Sequence, residues 1–269
     1  MRLSQIHPSF YHLRVHQKRI ARHLSDLLSN QTFAHERSPD NLAHKCKVHQ
    51  SLLRRKLGTS DPSLQDGKII NLKIAHQAID GILIKPNQVF SFWKLLGKTT
   101  SDKGYVEGLQ LSQGEVKTGI GGGLCQLANL LYWMALHSPL KIVERHHHSF
   151  DPFPDDRRAL PFGSGASVFY NYVDLRFYNP TNSIFQIRVW LTEDHLHGAI
   201  YTDQKCMYSY HILEKNHRFL QQNGKNYREN EIWQNIFDKS NGKLLRTELV
   251  IKNFSEVKYA LSDPVGDEM

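Results

Sequence analysis

The sequence predicts an α+β fold in which helices pack on a mainly antiparallel sheet and a cysteine opens a core helix. Three observations predict it. First, the glycine run Gly121-Gly122-Gly123 leads into Leu124-Cys125-Gln126, and then Leu127, Leu130, Leu131 and Met134 recur at i, i+3, i+4 and i+7. Second, residues 167–177 and 184–191 alternate apolar and polar side chains, as half-buried strands do. Third, a short helical pattern at 71–81 is followed at once by strand-like runs around Pro86-Asn87.

Taken in order, the elements divide the chain into three zones. Residues 1–67 form a basic, largely helical extension, residues 68–200 the core domain, and residues 201–269 a polar extension or small subdomain. Within the first zone, Phe10, Leu13, Ile20, Leu24, Leu27 and Leu28 recur at helical spacing beside Arg14, Lys18, Arg19 and Arg22. This pattern is a basic amphipathic helix, able to dock on its own domain or to lie on a membrane surface. In the core zone, Leu72, Ala75 and Ile79 share one helix face, and Gly81 ends that helix. Ser138-Pro139 ends the helix after Cys125, and 141–145 reads as a strand running into His146-His147-His148-Ser149. The strand 167–177 turns at Asn179-Pro180-Thr181-Asn182 into the strand 184–191, predicting an antiparallel hairpin with Gln186 and Arg188 facing solvent. The last zone shows one helical pattern, near 230–237.

Composition narrows the function classes. Lys and Arg exceed Asp and Glu by 34 to 26. Residues 1–60 carry eleven of those basic residues against Asp26, Glu36 and Asp40, so the whole surplus of eight lies there. A basic arm on a neutral body suits an anionic membrane face, a nucleic acid or an acidic substrate, with an anionic membrane surface the leading partner for residues 1–60 and a solvated surface helix the alternative. No recognisable nucleic-acid motif accompanies the charge, which disfavours nucleic acid. No run approaches the roughly 18–20 apolar residues of a membrane span. The first residues lack the apolar stretch of a secretory signal, predicting a cytoplasmic, at most membrane-peripheral, protein. Cys46, Cys125 and Cys206 then read as three reduced thiols.

The chemistry-bearing residues centre on Cys125. At a helix N-terminus, unpaired N–H groups and the positive end of the macrodipole favour a thiolate, and the same N–H groups can hold an oxyanion. Gly122 and Gly123 allow a sharp turn and leave space for substrate above the sulfur, and Gln126 adds a side-chain donor. Arg145 and Tyr172 complete the expected substrate-binding set. His146, His147 and His148 offer an imidazole base, and Asp174 a carboxylate to orient it, with Asn171 and Asp151 in reserve. Consecutive strand residues point to opposite faces, so only His146 and His148 could share a metal, and no carboxylate or cysteine stands at zinc spacing. No metal and no cofactor are expected. The glycine run lacks the Gly-Lys-Ser/Thr ending of a phosphate loop, and no Ser-centred nucleophile elbow is present.

Pro86-Asn87-Gln88-Val89-Phe90-Ser91-Phe92, Gly104-Tyr105, Gly121-Gly122-Gly123-Leu124-Cys125-Gln126 and Glu144-Arg145-His146-His147-His148-Ser149 follow one another in the order of the VanW family. Pro161-Phe162-Gly163-Ser164-Gly165-Ala166 and Tyr172-Val173-Asp174-Leu175 continue it, so the chain resembles that family over roughly residues 45–200, most closely its short form. Some exported, multidomain relatives are credited with L,D-transpeptidase activity on peptidoglycan through the cysteine of this motif. Carried over by position, the resemblance implies Cys125 as nucleophile and His148, preceding Ser149, as base. Where longer relatives read Gly-x-Asp-Ala-Thr this chain has Gly163-Ser164-Gly165-Ala166-Ser167, so Asp174 has to supply the acid.

The sequence therefore leads to a cysteine acyl transferase or amidase acting on peptidoglycan peptides or precursors, with a link to glycopeptide resistance implied by the resemblance. The alternative is a non-catalytic accessory module that binds a cell-wall peptide or glycopeptide.

Overall fold

The computed structural model describes residues 8–54, 63–112, 115–147, 150–151, 154 and 160–261. The helices are α1 (Pro8–Leu28), α2 (Ser63–Ala75), the one-turn α3 (Phe92–Leu96) and α4 (Cys125–Ala135). The strands are β1 (Thr32–Phe33), β2 (His44–Leu52), β3 (Ile82–Ile84), β4 (Gln88–Ser91), β5 (Glu107–Ser112), β6 (Glu115–Ile120), β7 (Lys141–Glu144), β8 (Phe150–Asp151), β9 (Arg176–Tyr178), β10 (Phe185–Leu191), β11 (His195–Thr202), β12 (Tyr208–Gln222), β13 (Lys225–Asp238) and β14 (Leu244–Val257). They assemble in the orders β1-β4-β9-β7, β2-β11-β10-β3, β12-β13-β14-β8 and β5-β6. Among the described residues only β1–β4 and β8–β14 pair in parallel, so the expected α+β class with mainly antiparallel sheets holds.

The core forms where α4 crosses the β2-β11-β10-β3 sheet. Leu127, Leu130, Leu131 and Met134 are buried, as their spacing requires, and meet Ile187, Val189, Leu196 and Ile200. Gly198 on β11 lets the helix close in: a methyl group there would stand 2.6 Å from Met134 Cε and 2.9 Å from Leu130 Cδ2. Leu72, Ala75 and Ile79 are fully buried as predicted, although α2 begins at Ser63 and a 3-10 turn, His76–Ala78, completes it. Asn87 takes φ 63° in the turn between β3 and β4, the left-handed region that asparagine tolerates.

Several expectations are corrected. Residues 167–177 do not form one strand: Phe169 and Val173 exchange backbone hydrogen bonds of 2.9 and 3.1 Å around a tight turn, and strand begins only at Arg176. Nor do the flanks of Asn179 pair as a hairpin. β9 lies between β4 and β7, whereas β10 lies between β11 and β3. Asn179 explains the switch of sheet, since its Nδ2 donates to Ile84 O and Ser183 O while its Oδ1 accepts from the Thr181 backbone. Gln186 is fully buried rather than exposed, donating to Ser38 O and Asp40 O. The helical pattern at 230–237 belongs to β13, where Arg228, Asn230, Ile232 and Ile236 turn inward at even spacing between β12 and β14. β2, N-terminal to residue 67, pairs along its length with β11.

Two further corrections concern α1 and the cysteines. The helix forms, but Phe10, Leu13, Ile20, Leu24, Leu27 and Leu28 face solvent. It docks instead through charge: Arg22 makes two hydrogen bonds to Glu144, at 2.7 and 2.6 Å, and Asp26 takes Arg176 at 2.7 and 2.8 Å. Cys46 and Cys206 are joined in a disulfide, with Cα atoms 6.0 Å apart, so Cys125 alone is a free thiol.

Candidate functional site

Cys125 is the first residue of α4, and Asn129 stands one turn later on the same helix face. Both reach the extended segment 165–168. Asn129 Oδ1 accepts from Ala166 N at 2.6 Å, and the Cys125 sulfur accepts from the Val168 backbone N–H. The intervening Ser167 N points the other way and donates to His146 O at 2.8 Å. Successive N–H groups of an extended chain point to opposite sides, which explains the arrangement: helix on one side, the His146 backbone on the other. The cysteine and His146 are thus brought to neighbouring residues of one short segment.

Loop 161–165 is fixed from two sides. Arg145 Nε donates to Gly165 O at 2.8 Å, and its Nη2 donates to Gly163 O. The guanidinium also lies over the Tyr132 ring, 5.2 Å from its centroid. From the C-terminal sheet, Asn230 Nδ2 donates to Phe162 O at 2.8 Å, and Asn253 occupies the space a side chain at Gly163 would need. Within this cluster Arg145 Nη1, Ser164 Oγ and Ser167 Oγ are buried without a hydrogen-bond partner among the described residues. Buried donors without an acceptor cost stability, and an acceptor that reached any of them would relieve that cost.

Cys125 keeps partial exposure as a residue, yet protein surrounds its sulfur, and burial pushes the thiol pKa up against the opposing Val168 N–H. This reverses the direction expected from the helix N-terminus: desolvation outweighs the backbone N–H groups of Val168 and Cys125, which favour the anion. The glycines do not open space above the sulfur either. A methyl group at Gly122 would stand 2.0 Å from Gly108 O, and one at Gly123 would meet the Lys68 side chain. Asn71 Nδ2 adds a bond of 2.9 Å to Gly122 O. Gln126 is likewise engaged away from the thiol, donating to Ser51 Oγ at 2.9 Å and Leu52 O at 2.7 Å.

His148 lies outside the described residues. Among those described, His146 Nε2 stands 3.0 Å from Glu144 Oε1, a pairing that i, i+2 spacing on an extended chain produces. Glu144 stays below the usual carboxylate range: burial pushes it up, but His146 and Arg22 more than offset this. Burial, Arg145 and His146 together hold His147 below its ordinary value. Asp174 is not turned toward a histidine. It is fully buried, accepting from Ser91 Oγ at 2.6 Å, Arg176 Nε at 2.7 Å, Trp93 N at 3.1 Å and Leu175 N at 2.9 Å. Tyr172 serves α1, with Lys18 over its ring at 4.9 Å and its carbonyl accepting from Arg22. Of the reserves, Asp151 pairs with Arg228 and Tyr259, and Asn171 Oδ1 is buried without a partner. Among the described residues no three of His, Cys, Asp and Glu cluster as metal ligands would. A cavity of about 200 Å³ lies away from Cys125, at the disulfide, lined by residues including His137, Phe185, Tyr208 and Tyr210.

A family model described as "VanW like protein" matches residues 67–201. The chain belongs to the VanW family. It is 31% identical over 205 residues to the "Vancomycin B-type resistance protein VanW" of Enterococcus faecalis, covering 76% of this chain and 74% of that protein. It is also 33% identical over 121 residues to "Uncharacterized protein YoaR" of Bacillus subtilis, covering 44% of this chain and 37% of that protein. No solved structure matches. The matched region holds Cys125, Asn129, Glu144, Arg145, His146 and the 161–168 segment, so every part of the cluster except Asn230 and Asn253 lies within the VanW region.

Sequence reasoning missed Glu144, Asn129, Asn230 and Asn253. Two of them had a readable signal: Glu144 stands two residues before His146, and Asn129 one helical turn after Cys125. The two C-terminal asparagines had none, because only the sheet register brings them to residue 162.

Proposed function

We propose that the chain is a cysteine-dependent acyl transferase or amidase acting on peptidoglycan peptides or their precursors. One observation carries the reading: the sulfur of the sole free cysteine among the described residues and the backbone of His146, whose imidazole pairs with Glu144, bond neighbouring residues of the 165–168 segment. The chemistry follows from that placement. The thiol loses its proton to an imidazole as sulfur attacks the amide carbon of a stem peptide. The carbon–nitrogen bond breaks, the departing amine takes the proton, and a thioester forms on Cys125. An acceptor amine, or water in the amidase case, then attacks the thioester carbon and the sulfur recovers a proton. Because burial holds the resting thiol protonated, the transfer belongs to the encounter with substrate. The open donors of Arg145, Ser164 and Ser167 suit a carboxylate of the peptide. The base in this reading is His148, by family resemblance, with His146, whose imidazole pairs with Glu144, as the second candidate.

The Cys46–Cys206 disulfide supports an oxidising compartment, where cell-wall chemistry takes place, over the cytoplasmic setting expected from the sequence. A connection with vancomycin resistance rests on the name of the E. faecalis relative.

The test is intact-mass analysis of the full chain after incubation with muropeptides bearing tetrapeptide stems. A thioester adduct confined to Cys125 is expected, absent in Cys125→Ser, and His146→Ala against His148→Ala identifies the base. No adduct and no turnover with wild-type protein would overturn the enzymatic reading.

The second reading is a non-catalytic cell-wall peptide or glycopeptide module. The enclosure of the Cys125 sulfur by protein, which pushes its thiol pKa up, favours it. It expects Cys125→Ala to bind the same stems as wild type.

A further inference from the structure

We infer that α1 is a membrane-surface anchor whose outward face lies on an anionic lipid bilayer. The inference does not depend on the chemistry at Cys125. At about 100° per residue, Val15, Arg19, Arg22 and Asp26 fall within roughly 60° of one another around the helix. These residues face the body: Val15 is buried, Arg19 Nε donates to Tyr170 O at 2.9 Å, and Arg22 and Asp26 take Glu144 and Arg176. Phe10, Leu13, Ile20, Leu24, Leu27 and Leu28 fall within an arc of roughly 100° on the opposite side. Their exposures run from 48% at Phe10 and Ile20 to 84% at Leu28. The usual arrangement of a surface helix is therefore inverted, with polar side chains holding the helix to its own domain and apolar ones turned away.

Charge decides what covers the apolar stripe. Exposed Arg14 and Lys18 lie beyond one edge of it, and His16 and His23 beyond the other. The only acid in the helix, Asp26, is turned inward to Arg176 and Lys94. An apolar stripe with a cationic rim and no outward acid fits an anionic bilayer, with leucines at the acyl boundary, Arg14 among the headgroups and Lys18 adding positive charge from its place over the Tyr172 ring. A second copy of the chain fits worse, since pairing two stripes would set cationic rim against cationic rim. The helix is about 31 Å long at 1.5 Å per residue, enough to lie along a membrane surface through several turns. Its inner face holds Glu144, the partner of His146, so the anchor would keep the Cys125 cluster close to the bilayer.

The experiment is co-flotation of the full chain with phosphatidylcholine vesicles, with and without phosphatidylglycerol, at low and high salt. Binding to the phosphatidylglycerol vesicles is expected to fall with salt and to weaken roughly ten- to a hundred-fold in Leu13→Glu/Leu24→Glu. Both residues are exposed, so the variant should keep the wild-type melting temperature, which excludes misfolding as the cause. Failure of the wild type to float, or equal flotation of the variant, would overturn the inference. So would binding to neutral vesicles as tight as to anionic ones. A dimer that the same double substitution splits, with no lipid binding, would overturn it in favour of self-association.

Discussion

At Cys125 two effects of opposite sign meet on one sulfur. The helix N-terminus and the Val168 N–H favour the anion, while enclosure by protein disfavours it, and enclosure prevails. Alkylation of native protein by iodoacetamide should therefore be slow at neutral pH, with a midpoint above the ordinary thiol value of about 8.5. Peptide-resolved mass spectrometry across a pH series checks this, and a midpoint well below 8 would show that the thiolate is favoured after all. Asp174 supports the opposite kind of prediction. It is the buried acceptor of Ser91 Oγ, Trp93 N and Leu175 N as well as of Arg176, so Asp174→Ala should cost roughly 3–5 kcal/mol in urea unfolding by stranding those donors and leaving Arg176 to Asp26 and Glu144. The labelling rate of Cys125 should be unchanged. A loss of turnover without a loss of stability would return Asp174 to the catalytic set. At this scale the sequence disclosed where the thiol sits, because a glycine run and a helical period are local signals. It could not disclose that Val168, more than forty residues on, would meet the sulfur, or that four donors would claim Asp174.

Elements position the site by close backbone approach, and the clearest case is the start of α4 against the β5–β6 ribbon. Gly122 sits where any Cβ would strike the Gly108 carbonyl, and Asn71 on α2 ties both sides by bonding Gly122 O, Val106 O and Val106 N. The glycine run is thus a contact between elements. Gly122→Ala should destabilise the fold by about 1–3 kcal/mol or more and quicken labelling of Cys125, as the ribbon is pushed from the helix start. Thermal denaturation and the alkylation rate measured together decide it; a stable variant with unaltered labelling would mean the ribbon yields without cost. The same scale explains why the strand expected at 167–177 is absent. Its aromatic alternation was real, but Phe169, Tyr170 and Tyr172 receive the cations of α1, with Arg19 at 5.8 and 5.4 Å from the first two rings and Lys18 at 4.9 Å from the third. Alternation reports that side chains have partners on two sides, and here one partner is a helix joined by ion pairs. The three long C-terminal strands were illegible for a related reason: much of β12 and β14 is exposed, which leaves little hydrophobic period to read.

In the whole molecule, the Cys46–Cys206 bond ties β2 of the core sheet to the segment that leads into the C-terminal sheet, across a separation of 160 residues. Spacing alone could not pair these two among three cysteines. His137 lies at the cavity beside the same junction, its Nδ1 2.8 Å from Trp133 O and its ring packed on Trp133. Burial, aided by Lys47, His49 and His211 and opposed by the Trp133 carbonyl, pulls its pKa from 6.5 down to about 4. The folded protein therefore holds His137 neutral in a range where the unfolded chain is protonated. Between about pH 6.5 and 4 the unfolded state binds more protons, so stability rises with pH and is lost as the solution is acidified through this window. Allowing for the partial exposure of the ring, the loss is on the order of 2 kcal/mol, from about 1.4 kcal/mol per pKa unit. Asp26 and Glu144, both held below their ordinary values, act in the same direction but lower, their contribution disappearing as pH falls through their depressed folded values. Urea unfolding at pH 7, 5.5 and 4.5 should then show falling stability in the wild type and a flatter profile in His137→Gln over this range. Reduction of the disulfide should lower stability at every pH without altering the slope, because it acts on the unfolded chain's freedom rather than on a proton. Parallel profiles for wild type and His137→Gln would assign the acid loss to the ion pairs of α1 instead, and Arg22→Gln would then be the variant that flattens it.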